Sequence, residues 1–117
     1  MSWDDAWLLD IANAAQDILD FCRSMDHAAF IADLKTQAAV MHRLMVVGEA
    51  AKRLSDGFRE SHSQQPWKQI AGMRDRLIHG YDKVRLEVVW QVVQDDIPEL
   101  LTFVEDKLPT DDDASTP

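Results

Sequence analysis

The sequence predicts an all-α protein, a bundle of four main helices with one additional short helix. Three observations lead to this fold class. The 117 residues are enough for one hydrophobic core and too few for two. Apolar residues return every three or four positions along most of the chain, which is the period of a helix. No segment alternates apolar and polar residues convincingly, as a half-buried strand would.

The first helix is predicted from Ser2, a suitable N-cap, through Met25. Asp4 and Asp5 fall in its first turn, where negative charge complements the helix dipole. Its apolar stripe continues for about six turns at the helical spacing. A short helical piece at Ala28–Ala32 is expected to follow.

The second long helix is predicted from Leu34 to about Ser55. Gly48 lies inside it and lowers helix propensity by about 1 kcal/mol relative to alanine. We therefore expect another helix to approach closely at this position. Gly57 is expected to end the helix, and the polar, aperiodic residues 59–65 are expected to form a loop.

The third helix is predicted to begin at Pro66-Trp67, because proline is tolerated in a first helical turn. It is predicted to end at Gly80. The fourth runs from Leu86 to Lys107. Within it, Pro98 should kink the helix or restart it after Asp95-Asp96. Residues 1–108 are thus expected to form one domain. Residues 109–117, with three consecutive aspartates, are expected to form an acidic, disordered tail.

Composition favours a cytoplasmic protein that does not enter a membrane. No apolar run reaches the roughly 18–20 residues that span a bilayer. The first residues carry acids where a secretory signal carries lysine or arginine. Cys22 is the one cysteine of the chain, so an intramolecular disulfide framework and a cysteine-rich zinc site are both excluded.

The net charge of −9 conceals an uneven distribution. Residues 34–91 contain ten basic and six acidic side chains, whereas the rest of the chain contains two basic and fifteen acidic ones. The acidity therefore lies in the first helix, the last helix and the tail. An anionic ligand is allowed near the middle of the chain, although the charge does not require one.

Residues 73–81 carry the densest group of reactive side chains. Asp75 and His79 are four residues apart and share a helix face, so the carboxylate can orient the imidazole and raise its basicity. Arg74 can reach the same site, and a guanidinium is a natural phosphate ligand. Tyr81 follows the turn at Gly80. On spacing alone, an Asp–His pair is more often a surface ion pair than a catalyst.

Glu49 is a second candidate, because it lies among apolar residues of the second helix. A carboxylate in such surroundings needs a partner, and Arg74 or Arg76 of the third helix is expected to supply it. The pair is either structural or positions a functional arginine. Arg76 is otherwise expected to be solvated or to bridge the bundle. The remaining histidines show no metal-ligand spacing, and no metal or cofactor is expected.

The pattern Arg74-x4-His79-x-Tyr81 resembles the R-x4-H-x-Y signature of the HepT-like HEPN ribonuclease toxins. The resemblance extends from the first helix to about Leu108. The segments that share it are Gly48-Glu49-Ala50-Ala51-Lys52-Arg53-Leu54, Pro66-Trp67, Ala71-Gly72-Met73-Arg74-Asp75, Val89-Trp90 and Ile97-Pro98-Glu99-Leu100.

This resemblance implies a metal-independent endoribonuclease toxin that is encoded beside a minimal nucleotidyltransferase antitoxin, in a type VII-like system. Arg74 and His79 would be the catalytic pair, with Asp75 as the polar residue that commonly follows the arginine. Glu49 and Arg76 would have supporting roles. Tyr81 would be the hydroxyl to which the antitoxin transfers AMP. A symmetric HEPN homodimer and an RNA substrate, tRNA or mRNA, are implied as well.

Two other interpretations remain open at this stage. The chain could be a non-catalytic HEPN module that binds nucleotide or RNA as the partner of a nucleotidyltransferase, with Arg74 and His79 holding a phosphate. It could also be a helical scaffold in which the motif joins helices. The scaffold leaves the density of polar groups around Gly80 unexplained.

Overall fold

A computed structural model of the protein describes residues 3–79 and 85–109, and these residues form helices and no strand. The α-helices are α1 (Trp3–Phe21), α2 (His27–Ala32), α3 (Leu34–Arg53), α4 (Asp56–Ser61), α5 (Trp67–His79), α6 (Leu86–Gln91) and α7 (Ile97–Lys107). A π-helical turn, Val92–Asp96, connects α6 to α7. The predicted all-α fold is confirmed.

The helices α1 and α3 form the centre of the bundle. The helix α3 also packs against α5, and α1 also packs against α7. The apolar stripes predicted from the helical period supply the core. Its largest fully buried side chains are Leu8, Ile11, Ile18, Phe30, Val40, Leu44, Val47, Val93, Ile97 and Val104. These side chains come from α1, α2, α3, the π-helical turn and α7, and α5 adds Trp67 and Leu77 to the same core.

The first helix ends at Phe21, four residues before the predicted end at Met25. The chain turns here, and Ser24 takes a left-handed conformation with φ of 68° that a helix cannot contain. Asp26 then caps α2 by accepting a 2.8 Å hydrogen bond from the Ala29 amide. The predicted end was therefore wrong by one turn. The predicted N-cap, Ser2, lies outside the described residues.

The helix α4 lies where the sequence predicted a helix stop at Gly57, which is wrong, and the loop predicted at residues 59–65 is confined to residues 62–65. The Ser55 hydroxyl oxygen caps α4 by accepting from the Phe58 amide at 3.1 Å. Asp4 of α1 in turn accepts hydrogen bonds from the Ser55 amide and hydroxyl, both at 2.7 Å. This tether ends α3 early and starts a new helix with Gly57 inside it.

The last predicted helix begins at Leu86 and ends at Lys107, as expected, with a π-helical turn in its middle. Pro98 is in the first turn of α7, so the restart predicted after Asp96 is confirmed. Because proline has no N–H, the hydrogen-bond ladder cannot continue normally, and the Ile97 amide reaches back to the Val92 carbonyl instead. The expected disorder of the acidic tail falls largely on residues 110–117, which lie outside the described residues.

Among the helices of residues 3–79 and 85–109, none combines the length and apolar character that crossing a membrane requires.

Candidate functional site

The site is built at Gly48, where α5 packs tightly against α3. A Cβ atom on residue 48 would collide with the Cβ of Arg74 and would lie 3.1 Å from the carbonyl oxygen of Ile70. The close approach predicted from this glycine is confirmed. It brings the start of the Arg74 side chain directly against α3, next to residue 49.

Arg74 is held by carboxylates on two sides. Its Nε forms an ion pair with Glu49 Oε2 at 2.9 Å, and its Nη1 donates a hydrogen bond to Asp75 Oδ1 at 3.0 Å. The side chain is 27% exposed, so it reaches solvent from a fixed position. Among the described residues none bonds to its other terminal nitrogen, Nη2. The guanidinium therefore keeps donor capacity for an anionic ligand.

Both oxygens of Glu49 are engaged. Oε2 forms the ion pair with Arg74, and Oε1 accepts a 2.9 Å hydrogen bond from Nε of Arg53, one turn further along α3. The hydrogen bond from Arg53, together with the positive charge of Arg74, holds the pKa of the Glu49 carboxyl below its ordinary value. Glu49 is half-buried and ionised at neutral pH. The expectation that an arginine of the third helix pairs with Glu49 is confirmed, and the arginine is Arg74.

The other predicted site residues are Arg76, His79 and Tyr81, and the structure does not place them in contact with the Glu49–Arg74 pair. Arg76 is exposed and lines a groove that faces the α6–α7 side, apart from the Glu49–Arg74 pair. His79 is the last residue of α5, one turn after Asp75, and its side chain lies outside the described structure. Tyr81 lies outside the described residues as well. The roles assigned to Arg74, His79, Asp75, Glu49, Arg76 and Tyr81 remain predictions.

Two surface grooves lie next to the Glu49–Arg74–Asp75 network. The apolar groove, of about 300 Å³, is lined by Trp7, Asp10, His42, Met45, Val46, Glu49, Ala50 and Arg74. The polar groove, of about 730 Å³, is lined by Lys52, Asp56, Arg59, Glu60, Ser63, Trp67, Lys68, Ala71, Gly72 and Asp75. Arg74 lines one groove and its partner Asp75 lines the other, so the network has a side chain in each groove.

The chemistry available here is that of arginines and carboxylates. Within the described part of the chain, no three His, Cys, Asp or Glu side chains are grouped so that they could hold a metal ion. Cys22 is buried in the core, and burial raises the pKa of its thiol, which keeps it protonated. Sequence reasoning did not assign a role to Arg53. Its position four residues after Glu49 was the available signal, since such pairs face each other on a helix.

Comparison with known proteins identifies relatives along most of the chain. The family described as "Ribonuclease HepT-like" matches residues 11–106. A protein of Thermococcus cleftensis named "Probable ribonuclease HepT" is 43% identical over 94 residues, which are 80% of this chain and 86% of that protein. A "Putative RNase" of Methanocaldococcus jannaschii is 40% identical over 101 residues, 86% of this chain and 84% of the relative. No solved structure matches the chain.

Proposed function

The chain belongs to the HepT-like ribonuclease family, and on this premise we propose that it is a metal-independent endoribonuclease. The observation that carries the proposal is the position of Arg74, which Glu49 and Asp75 hold while Nη2 stays open. A guanidinium fixed in this way can bind a phosphate and stabilise charge that develops on it. The relatives named as ribonucleases support the same activity.

The proposed reaction uses a nucleophile that RNA itself supplies. His79 removes the proton of a ribose 2′-hydroxyl, and the 2′-oxygen attacks the adjacent phosphorus. The bond from phosphorus to the 5′-oxygen then breaks, and a proton is delivered to this leaving oxygen. The products are a 2′,3′-cyclic phosphate and a 5′-hydroxyl. Arg74 stabilises the negative charge on the pentacoordinate phosphorus, so proton transfer and charge stabilisation are sufficient.

The reaction requires both a base and an acid, whereas the motif of one protomer contains a single histidine. A two-fold symmetric homodimer would place two sets of Arg74 and His79 across one cleft. One His79 would then act as the base and its copy as the acid. Family membership and this chemical requirement support the dimer.

We also propose that the protein is the toxin of a type VII-like toxin–antitoxin pair, with a minimal nucleotidyltransferase as antitoxin. The Tyr81 hydroxyl would attack the α-phosphorus of ATP and release pyrophosphate, which leaves AMP on the tyrosine. The added group would bring bulk and negative charge two residues from His79, where it would block the site and repel RNA phosphates. The bundle through residue 108 would be the catalytic domain, acting on tRNA or mRNA in the cytoplasm.

The proposed ribonuclease activity is tested by measuring RNA cleavage in EDTA, with wild-type protein and with the variant His79→Ala. We expect wild type to cut and His79→Ala to cut roughly 10²–10⁴-fold more slowly, the usual effect of losing an acid–base group. His27→Ala is the matched control, because His27 is an exposed histidine outside the motif. If His79→Ala cuts at the wild-type rate, the catalytic assignment is wrong. Nucleotide binding without RNA cleavage by wild type would favour the non-catalytic alternative.

The role of Tyr81 is tested by intact-mass measurement after incubation with the antitoxin and ATP. We expect a gain of one or more AMP units in wild type and none in Tyr81→Phe. An unchanged wild-type mass, or modification that persists in Tyr81→Phe, would refute the proposal.

A further inference from the structure

We propose that the polar groove binds the RNA backbone to one side of the cleavage site, with Lys52 and Lys68 contacting its phosphates. The proposal rests on the ribonuclease function above and adds to it the direction in which the substrate lies. Three features of the groove support it: its unpaired cations, its position relative to Arg74, and the open backbone at Gly72.

The groove contains two lysines whose charge is available to a ligand. Of its three cations, Arg59 is paired with Asp56 at 2.5 Å. Neither Lys52 nor Lys68 forms an ion pair with a carboxylate in residues 3–79 and 85–109, and Lys68 is exposed on α5 as Lys52 is on α3. The groove also contains three carboxylates, of which Asp56 is paired with Arg59 and Asp75 with Arg74. The two lysines and Glu60 then leave a surplus of one positive charge, which favours a polyanion in a chain whose net charge is −9.

The groove leads to the arginine that the proposed reaction uses. Lys68, Ala71, Gly72 and Asp75 follow one another at spacings of three, one and three residues, so they form one face of α5. Asp75, at the far end of this face, is the carboxylate bonded to Nη1 of Arg74. Lys68 is thus about two helical turns from the network, or roughly 10 Å at 1.5 Å per residue. On α3, Lys52 is one turn after Glu49.

Gly72 leaves the wall of the groove open. A Cβ atom on residue 72 would meet no described atom within 4 Å, whereas Gly48 on the facing helix has no room for one. Close packing therefore explains Gly48 and does not explain Gly72. A glycine in the middle of α5 leaves the helix backbone accessible to a ligand in the groove.

The test compares the double variant Lys52→Gln/Lys68→Gln with the control Arg23→Gln/Lys35→Gln. Both remove two positive charges, but Lys35 is 17 residues from Lys52 along α3, or roughly 25 Å, and Arg23 lies beyond the end of α1. We expect the groove variant to raise the KM for a single-stranded RNA about tenfold, with kcat within about twofold of wild type. The control should behave as wild type.

Salt dependence gives a second readout, measured as RNA binding by anisotropy in an inactive His79→Ala background. The slope of log K against log salt is negative, and each lost phosphate contact should reduce its magnitude by about 0.7. The magnitude of the slope should therefore be smaller by about 1.4 in the groove variant than in wild type. The charge-conserving Lys52→Arg/Lys68→Arg should keep the wild-type slope and KM.

The failures of this proposal and of the ribonuclease function are distinguishable. If wild type cuts RNA and the groove variant keeps both KM and salt slope, the groove does not bind RNA and the ribonuclease function stands. An acidic protein as the true occupant would give that same result. If wild type does not cut RNA, the ribonuclease function fails. RNA binding measured by anisotropy then tests the groove on its own. If the groove variant has the RNA affinity and the salt slope of wild type, the groove proposal is overturned.

Discussion

At the scale of single residues, the central feature is the fixed orientation of Arg74. A free arginine loses rotamer freedom when it binds a phosphate, whereas Glu49 and Asp75 already fix this side chain. The two carboxylates balance the charges of Arg74 and Arg53, so the network is close to neutral before substrate arrives. In the proposed reaction an RNA phosphate would meet a pre-oriented donor, which is the condition for effective charge stabilisation.

We therefore predict that Glu49→Gln lowers kcat for RNA cleavage about tenfold, because Arg74 loses its charged partner on α3. The matched control is Asp17→Asn, which breaks a pair of similar exposure between Arg43 and Asp17 (2.8 Å) outside the site. Each change should alter the free energy of unfolding by less than about 1 kcal/mol, as is usual for exposed pairs. Equal kcat values for the two variants would show that Glu49 has no positioning role.

The lowered pKa of Glu49 also predicts how stability depends on pH. A carboxyl with a folded-state pKa below its ordinary value of 4.5 stabilises the protein above that pH. This contribution is lost as the pH falls through the folded-state pKa. Chemical denaturation should therefore show wild type more stable than Glu49→Gln at neutral pH and the difference shrinking below 4.5. A difference that stays constant down to about pH 2 would contradict the assignment.

At the scale of helices, the site depends on the contact between α3 and α5. Gly48 permits the contact, and Arg74 occupies the space that a larger residue would take. The extensive helix–helix interface of α5 within the described residues is the one with α3. If α5 moved away from α3, Arg74 would move away from Glu49. No second large interface of α5 within the described residues would oppose this movement.

Alanine substitutions at the two helical glycines should have opposite effects on stability. Gly72→Ala should increase the free energy of unfolding by about 1 kcal/mol, since alanine is the better helix former and meets no described atom there. Gly48→Ala gains the same propensity but incurs overpacking of about 1–3 kcal/mol. Chemical denaturation should separate the two variants by about 2 kcal/mol. Equal stabilities would show that the α3–α5 contact yields at no cost.

At the scale of the whole molecule, the long helices were predictable because each buries one apolar stripe with the helical period. The pairing of Glu49 with Arg74 was predictable within a choice of two arginines, because a carboxylate in an apolar segment needs a partner. The helix α4 was not, since it has six residues and depends on the tether between Asp4 and Ser55, 51 residues apart. The spacing of apolar residues in so short a segment does not reveal a hydrogen bond to a residue distant in sequence.

The proposed active site combines Arg74 and His79 from two protomers, here called the composite site, and it predicts that the protein is a dimer in solution. Sedimentation at working concentration should give twice the protomer mass of 13.3 kDa. On dilution, activity per protomer should fall as the dimer dissociates, because one protomer lacks half of the acid–base pair. A monomer that cleaves RNA at full specific activity would refute the composite site and leave the role of Arg74 to be judged separately.

The proposal that Arg74 is the catalytic arginine of a ribonuclease is tested most directly by comparing Arg74→Ala with Arg43→Ala. Both arginines are partly buried and form an ion pair through Nε with a carboxylate on another helix, at 2.9 and 2.8 Å, so both substitutions remove an ion pair between helices. The measurement is the single-turnover rate of RNA cleavage in EDTA. We predict a loss of roughly 10²–10³-fold for Arg74→Ala and a near wild-type rate for Arg43→Ala. Equal rates for the two variants would contradict the claim.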